Sequence, residues 1–286
     1  MIQSSASTSG TLYVVATPIG NLDDISLRAI QTLKSVDTIL CEDTRHSKHL
    51  LGHLGIQKPL VALHAHNEHD KSETILQALM AGRSYALISD AGTPLISDPG
   101  YPLVHAARQA QIPIVPIPGP CAFITALSAA GVPCDTISYF GFLPAKSKAR
   151  QEKLASLIDI NHTLVFYEST HRIQACLDDC RTIFGEDCEL VVAKELTKTY
   201  EHFVQGPIST IQAWFQADLA HFKGEFVVII PPRISKQTNH PGEQILKILL
   251  EELPLKQAVN LAAKISNSAK NELYQFALTL KKQVGE

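Results

Sequence analysis

Two carboxylates lie in a segment that is dense in turn-forming residues, SDAGTPLISDPG, residues 89–100. Two glycines and two prolines in twelve residues exceed what a simple connection from a strand to a helix requires. The segment is therefore predicted to hold a ligand. Asp90 is the candidate for contact with that ligand, whereas Asp98 is expected to cap the helix that opens at Pro99.

Two further segments carry clustered titratable side chains. CEDTRHS places Glu42, Asp43 and Arg45 together, and a charged turn in which Asp43 or Thr44 caps a helix explains part of this cluster. HAHNEHD, residues 64–70, offers three histidines and two acids, but it lacks the helical HxxxH and HExxH spacings that fix the geometry of metal ligands. A solvated loop is favoured there, and no metal site is predicted.

Two further candidate segments are turns that contain glycine and proline. TPIGNLDD has Pro18 and Gly20 in a tight turn, without the GxGxxG or GxxxxGK[ST] pattern that would indicate a dinucleotide site or a P-loop. PIPGPCA ends in Cys121 and Ala122, at the predicted start of a helix. Side chains this small would let a flat ring lie against the backbone.

The elements that must position these segments follow from the hydrophobic pattern. Between residues 11 and 132, short β-branched runs alternate five times with segments of helical period, which predicts a mainly parallel sheet covered by helices. Ligands bind at the carboxyl ends of parallel strands, and each of the five segments follows a strand. They are therefore predicted to meet at one edge of the sheet.

The remaining chain has a different organisation. Residues 133–230 contain two strands in direct succession, which predicts a second, mixed α/β domain. Residues 1–10 are expected to form a mobile tail, residues 231–242 a linker rich in proline and polar residues, and residues 243–286 a small helical appendix. The predicted fold class is α/β, with two α/β domains and this appendix.

Composition limits the function classes. Lys and Arg number 25 and Asp and Glu 28, so the net charge of −3 excludes the strong positive field of a nonspecific nucleic-acid binder, although residues 231–286 alone carry a net of +3. The longest apolar runs fall far short of the roughly 20 residues of a membrane span, and no signal peptide is recognisable, so neither membrane spanning nor secretion is predicted. The six cysteines lack a CxxC pair, which indicates reduced thiols in a cytoplasmic protein.

The segments together resemble a known family. The chain contains, in this order, TLYVVATPIGNLDDISLRA, CEDTRHSKHLL, ISDAGTPLISDPGYPLV, PIPGPCAFITALSAAGVP, FYESTHRI and ELTKTYEHFVQG. This set resembles the bacterial 2′-O-ribose methyltransferases of small-subunit ribosomal RNA, which belong to the tetrapyrrole methylase-like (class III) superfamily. Each motif alone is weak, but their joint occurrence is specific and covers nearly all of residues 11–286.

The resemblance implies a fold and an activity. S-adenosylmethionine would lie in a cleft between two α/β domains of a homodimer, which would methylate a cytidine ribose in the decoding region of 16S ribosomal RNA. The residues implied to border the cofactor are Pro18, Gly20, Asp90, Ala91, Gly92, Thr93, Cys121, Ala122, Tyr167, Gly224 and Glu225. Tetrapyrrole-modifying members carry a GxGPG-like sequence where this chain has ATPIGN, which argues against a porphyrin substrate.

Methyl transfer from a sulfonium to a ribose hydroxyl needs an in-line approach and a group that orients or removes the hydroxyl proton. The clustering in CEDTRHS leads to the hypothesis that Glu42 or Asp43 is this group, and that Arg45 holds an RNA phosphate through its planar guanidinium.

Four basic residues are candidates for RNA contact. For Arg172 and Lys198, ion pairs within the protein are an equal alternative, and for Lys256 and Lys264 a solvated exterior is nearly as well supported. Two other functions stay open. One is a small-molecule methyltransferase acting on a tetrapyrrole-type substrate, and the other is a noncatalytic ribosome-assembly factor that binds RNA.

Overall fold

The computed structural model describes residues 9–233 and 241–283. The chain divides into two compact units, residues 1–233 and 234–286. Within the first unit we call residues 9–130 the first lobe and residues 137–233 the second lobe. Among the described residues, no helix combines the length and the apolar character needed to cross a membrane.

The first lobe is a parallel sheet with a helix after each strand. Its elements are β1 (Leu12–Val15), α1 (Leu27–Ser35), β2 (Thr38–Cys41), α2 (Thr44–His53), β3 (Leu60–Ala62), α3 (Glu68–Met80), β4 (Tyr85–Leu87), α4 (Tyr101–Gln109), β5 (Ile114–Ile117) and α5 (Ala122–Ala129). The strand order is β3-β2-β4-β1-β5, and every pairing is parallel. The carboxyl ends of all five strands therefore point to one edge, as predicted.

Two helix layers bury the first sheet. Leu33 of α1 and Leu51 of α2 pack on one face, while Leu79 of α3 and Leu103 of α4 pack on the other. Both faces of the sheet are apolar because both are covered, which explains the continuous β-branched runs in its strands.

The second lobe is a mixed sheet. Its elements are β6 (Ile137–Phe142), α6 (Ser147–Ala155), β7 (Thr163–Ser169), α7 (Ile173–Phe184), β8 (Glu189–Lys194), β9 (His202–Pro207), α8 (Ile208–Ala217) and β10 (Glu225–Ile230). The strand order is β6-β7-β10-β8-β9, with β6 parallel to β7 and the other pairs antiparallel. The predicted α/β fold class is confirmed.

Helix α5 links the two lobes. Ala126 and Leu127 are buried against Val165 of β7 and Val227 of β10, on the face of the second sheet opposite α6, α7 and α8. Burial of such side chains stabilises the arrangement by about 1.5–3 kcal/mol for a leucine. The segment PIPGPCA thus leads from β5 of the first sheet into a helix that packs on the second sheet.

The second unit consists of three helices: α9 (Pro241–Glu252), α10 (Leu255–Ser266) and α11 (Lys270–Gln283). Their shared core includes Leu246, Ala262, Leu273 and Ala277. A three-residue turn, in which Asn267 adopts the left-handed conformation (φ 53°), joins α10 to α11.

Three predicted segments, the tail, the linker and the loop HAHNEHD, differ from the structure or lie partly outside the described residues. Residues 1–8 of the expected tail lie outside the described residues, but Gly10 is buried and its amide donates to the Leu79 carbonyl, so it is not part of a tail. Residues 234–240 of the expected linker also lie outside the described residues, and its last two residues already belong to α9. The expected loop HAHNEHD gives way to helix α3 at Glu68.

Candidate active site

The loops after β1 and β4 are joined at the carboxyl edge of the first sheet. The amide of Thr17 donates to the Gly92 carbonyl (2.8 Å), and the amide of Gly92 donates back to the Thr17 carbonyl (3.0 Å). The Thr17 hydroxyl also donates to the Ser89 carbonyl (3.2 Å). These bonds fix residues 90–93 as one wall of a cavity.

The loop after β5 completes this wall. Thr93 Oγ1 donates to the Pro120 carbonyl (3.0 Å), which attaches the Pro-Gly-Pro bend to the loop after β4. Cys121 then occupies the N-cap position of α5, and Cys121 and Ala122 both line the cavity. Their small side chains leave the backbone at the helix start close to the cavity.

Strand ends of the second lobe form the opposite wall. Tyr167 lies opposite Val227, and Ser169 opposite Glu225, in the antiparallel pair of β7 and β10. Phe142, the last residue of β6, lies at the exposed end of this wall, with 54% of its surface accessible to solvent.

The cavity between the walls has a volume of about 290 Å³, close to the lower end of the roughly 300–1,000 Å³ range of small-molecule sites. The predicted cofactor residues that line it are Asp90, Ala91, Gly92, Thr93, Cys121, Ala122, Tyr167 and Glu225. The lining residues that the sequence did not single out as site residues are Ile19, Ile96, Ser97, Asp98, Phe142, Glu168, Ser169, Leu196, Phe226 and Val227.

Pro18 and Gly20 are not among the lining residues, although Ile19 between them is. A Cβ atom on Gly20 would lie 2.4 Å from Lys198 Cγ and 2.9 Å from the Leu196 carbonyl oxygen. Glycine is thus required here by the close approach of the β8–β9 connection. Gly20 lies where the loop after β1 meets the second lobe. A contact between Gly20 and the cofactor stays a prediction.

Gly224, another predicted cofactor residue, does not line the cavity itself. It precedes β10 with φ +123°, and both its amide and its carbonyl bond the Thr170 hydroxyl (2.8 and 2.7 Å). It thereby places Glu225, which does line the cavity.

A chain of hydroxyl groups crosses from one wall to the other. The amide of Phe123 donates to the Tyr167 hydroxyl (3.1 Å), the Tyr167 and Tyr139 hydroxyls interact, and Tyr139 Oη lies 2.6 Å from Ser97 Oγ. Burial raises the pKa of Tyr167 above its ordinary value. This chain links the start of α5 to the loop after β4.

The expected helix cap at Asp98 is wrong. Helix α4 begins at Tyr101, and Gly100, with φ +122°, occupies the N-cap position. Asp98 instead lines the cavity, where burial raises the pKa of its carboxyl to about 6 against the lowering effect of the Ser89 hydroxyl. Glu42 and Asp90 add to the rise because their negative charges disfavour a third.

The two predicted bases differ in their surroundings. Asp43 caps α2 by accepting from the Arg45 amide (2.8 Å) and pairs with the Arg45 guanidinium (3.0 Å). The Arg45 hydrogen bonds lower the pKa of Asp43 to about 2, so this carboxylate is a weak base. Burial, with the nearby Asp90, raises the pKa of Glu42. Arg45 is exposed, and its role in phosphate binding stays a prediction.

Two of the basic residues predicted to contact RNA make ion pairs within the protein. Arg172 Nε lies 3.1 Å from the buried carboxylate of Glu168, and its Nη2 donates to the Leu143 carbonyl. Lys198 Nζ lies 2.8 Å from Glu195 and 2.9 Å from Glu225. For these two residues the geometry favours the ion-pair alternative.

Lys256 and Lys264 are exposed on α10, as RNA contact would require. Among the residues that the structure describes, no group of three or more His, Cys, Asp or Glu side chains is placed to hold a metal ion.

Comparison with known proteins places this site in a family. Residues 11–212 match the family model of tetrapyrrole (corrin/porphyrin) methylases, and residues 239–281 match the RsmI C-terminal HTH domain. A ribosomal RNA small subunit methyltransferase I of Escherichia coli O157:H7 is 50% identical over 278 residues, which cover 96% of this chain and 97% of that protein. Its counterpart in Haemophilus influenzae is 48% identical over 94% of this chain and 96% of its own length.

Solved structures share the fold at low identity. The methyltransferase CobJ is 16% identical, with a TM-score of 0.59 over 81% of this chain and 98% of that one. Diphthine synthase is 12% identical, with a TM-score of 0.59 over 78% and 90%. Together with the full-length matches, the two facing sheets and the cavity between them lead to one conclusion: the chain belongs to the tetrapyrrole methylase family and, within it, to the group of ribosomal RNA small subunit methyltransferases I.

Proposed function

We propose that this chain transfers a methyl group from S-adenosylmethionine to the 2′-hydroxyl of a cytidine ribose in the decoding region of 16S ribosomal RNA. The observation that carries the proposal is the cavity between residues 90–93 and the strand ends at Tyr167 and Glu225, in a chain that is 50% identical along nearly its whole length to a ribosomal RNA methyltransferase.

The lining of the cavity fits the proposed methyl donor. Ala91, Gly92 and Ala122 offer backbone and small side chains against which a flat nucleoside can lie, while Ile19 and Leu196 supply apolar contact. When bound, S-adenosylmethionine would supply an electrophilic methyl group on a positively charged sulfur.

The charge of the cavity supports the same donor. Asp90 and Asp98 line it, and Glu42 interacts with both carboxylates. A cluster of negative charges favours a cationic ligand over its neutral product. The same charges would repel RNA phosphates, so the phosphates of the substrate must be held elsewhere on the protein.

The second unit is the candidate for that contact. Its match to a helix-turn-helix domain, together with exposed Lys256 and Lys264, supports binding to the ribosomal RNA backbone. A homodimer and a cytoplasmic location agree with this function and stay predictions, which sedimentation and cell fractionation would test.

Labelled S-adenosylmethionine tests the proposed function directly. Purified protein is incubated with small ribosomal subunits from cells that lack this enzyme, and in parallel with a tetrapyrrole mixture. We expect label on 16S ribosomal RNA, on the ribose oxygen of one cytidine. Label on the pigment would indicate the small-molecule methyltransferase, and RNA binding without transfer would indicate the noncatalytic assembly factor.

Calorimetry tests the cofactor separately. We expect one molecule of S-adenosylmethionine per chain. Absence of binding both with and without small subunits would refute the assignment of the cavity.

A further inference from the structure

We propose that the outer face of helix α2, together with the groove beside it, binds phosphate groups of the ribosomal RNA strand next to the target nucleotide. This inference rests on the proposed function and adds an RNA contact in the first lobe to the one proposed for the second unit. The surface consists of two stripes of side chains on α2 and of the connection from α2 to β3, residues 54–59.

The chain around α2 carries positive charge without acids. Residues 44–67 contain three Lys or Arg residues and five of the twelve histidines, but no Asp or Glu. In the whole chain, by contrast, acidic residues outnumber Lys and Arg by 28 to 25. A solvated helix face commonly mixes both signs of charge, so a stretch of one sign favours a partner of the opposite charge.

One stripe of α2 is formed by Arg45, His49 and His53. All three side chains are exposed, and 90% of the Arg45 side chain is accessible to solvent. Residues four apart lie on the same face of a helix. The ten residues of α2 extend over about 15 Å, so this stripe is long enough to follow an RNA strand past more than one phosphate.

The second stripe borders a groove with a volume of about 470 Å³. Thr44, Lys48 and Gly52 line the groove from α2, and Gln57 and Lys58 line it from the connection to β3. None of the described residues that line it is acidic. Hydroxyl, amide and ammonium groups are the donors that proteins commonly direct at phosphate oxygens. The lining therefore suits a phosphate group.

The two lysines of the groove are available to a ligand. Arg172 and Lys198 are paired with acids of the second lobe, but within residues 9–233 and 241–283 neither Lys48 nor Lys58 forms a salt bridge. Lys48 is exposed, and Lys58 is half-buried at the groove. Both ammonium groups therefore keep their full charge for a partner.

Gly52 gives an independent indication that a partner approaches this face. Glycine inside a helix lowers its stability relative to alanine. A Cβ atom at this position would have nothing within 4 Å, so packing among the described residues does not require glycine. Close approach of a ligand to the helix backbone would require it, because a side chain at position 52 would occupy the groove.

The start of α2 is connected to the cavity that holds the proposed methyl donor. Asp43 is the N-cap residue of α2, and its amide donates to Asp90 Oδ1 (3.2 Å). Asp90 in turn lines the cavity. A ribose at the cavity and phosphates on α2 can therefore belong to one RNA strand. Because acids surround the cavity and cations cover α2, the charges favour phosphates on the helix and not in the cavity.

A second copy of the chain is a poorer partner for this face. A two-fold contact would place the same positive surface against itself, which brings like charges together. Subunit contacts are commonly built on exposed apolar side chains. The large apolar side chains that the described part of the chain exposes all lie outside residues 44–59. The charge and the polarity of the surface therefore favour RNA.

Joint substitution of Lys48 and Lys58 by Ala tests the groove. Binding of the full chain to unmodified small subunits is measured over a series of salt concentrations, in the presence of a nonreactive analogue of the methyl donor. We expect the log–log salt dependence to become shallower by about 1.5, the value for loss of about two phosphate contacts. Over a tenfold range of salt, this slope corresponds to about 30-fold in affinity.

The same double variant should raise KM for the small subunit by roughly 30-fold at about 0.1 M salt. The kcat at saturating subunits and the affinity for S-adenosylmethionine should be retained, because neither lysine lines the cavity. R83A/R108A is the matched control. It removes two exposed cations next to α3 and on α4, which cover the opposite face of the first sheet, and it should leave KM and the salt dependence unchanged.

Substitution of Gly52 by Leu tests the groove without a change of charge. Leucine is a better helix former than glycine, so the thermal midpoint should be retained or rise. The new side chain would obstruct the groove, so KM for the small subunit should rise at least several-fold while the salt dependence changes little. Q109L places leucine at an exposed position of α4 and should leave KM unchanged.

The possible failures are distinguishable. If the unsubstituted protein does not methylate small-subunit RNA, the proposed function fails. If it does, but K48A/K58A keeps its KM and its salt dependence, the face of α2 is merely solvated and the inference is wrong. An equal effect of R83A/R108A would show a general effect of charge and would also overturn it. A change in sedimentation of K48A/K58A without RNA would identify the face as a subunit contact.

Discussion

Substitution of Arg150 by Met should destabilise the second lobe strongly. Arg150 is 2% exposed, and its Nη2 lies 2.6 Å from Asp179 Oδ2. Its Nε donates to the same oxygen (2.7 Å), and its Nη1 donates to the carbonyls of Pro144 (3.3 Å) and Ala145 (3.1 Å). The guanidinium thus joins α6 to α7 and to the connection that precedes α6.

The expected loss of stability follows from the charge of Asp179, which remains buried when Arg150 is replaced. Removal of one partner from a buried ion pair costs about 3–5 kcal/mol, because the other charge stays buried without compensation. Asp179 would keep hydrogen bonds from the Ser147 hydroxyl (2.9 Å) and the Gln151 amide (2.6 Å). Met also preserves the packing of the side-chain stem. We therefore expect the lower end of this range, about 3 kcal/mol.

The single tryptophan offers a local readout. Trp214 lies on α8, partly buried against the same core as Leu154 of α6. Its fluorescence in a urea titration reports the unfolding of this lobe. With a dependence of about 3 kcal/mol per molar urea, the transition midpoint should fall by roughly 1 M.

Two variants control this experiment. Arg181 is exposed on α7, so R181M should change stability by less than about 0.5 kcal/mol. Replacement of both Arg150 and Asp179 by apolar residues should recover much of the loss, since no buried charge is left. A decrease below about 1 kcal/mol in R150M would refute the reasoning, because it would mean that the Asp179 charge is not buried in solution.

Three further predictions concern the cavity and the second unit. G224A should lower the urea midpoint by the equivalent of about 2 kcal/mol, because φ is +123° and the new Cβ would lie 2.5 Å from Glu195 Cγ; an unchanged midpoint would contradict the backbone geometry. Y167F should cost about 1–2 kcal/mol in the same titration, since the amide at the start of α5 loses its acceptor. Joint substitution of Lys256 and Lys264 by Ala should make the salt dependence of RNA binding shallower by about 1.5 in log–log slope, and an identical slope would favour a solvated exterior.

The fold could be predicted because strand and helix periods are patterns of residues that are close together in the sequence. Alternating strand and helix periods gave the five parallel units of the first lobe, and the direct succession of two strands indicated the mixed sheet of the second. Helix ends were harder, because their signals compete. Asp98 before Pro99 has the form of a helix cap, but the chain turns at Gly100 and the helix begins one residue later.

The site could be predicted only in part. Asp90, Cys121 and Ala122 follow strands whose ends share one edge, so sequence position was sufficient to place them. Sequence spacing did not decide between ion pairs and RNA contact for Arg172 and Lys198. Glu168 and Glu195 lie only four and three residues before them, but an ion pair depends on how the chain turns at the strand ends, and the second partner of Lys198, Glu225, comes from β10.

The hydroxyl chain that crosses the cavity has a thermodynamic consequence. It runs from the amide of Phe123 through Tyr167 and Tyr139 to Ser97, so it joins the loop at the start of α5 to the loop that carries Asp98. We therefore expect that ordering of one end restricts the other. If binding of one reactant raises the affinity for the other, binding of the second must raise the affinity for the first by the same factor. A nonreactive analogue of either reactant is therefore sufficient to measure the coupling between the two binding events.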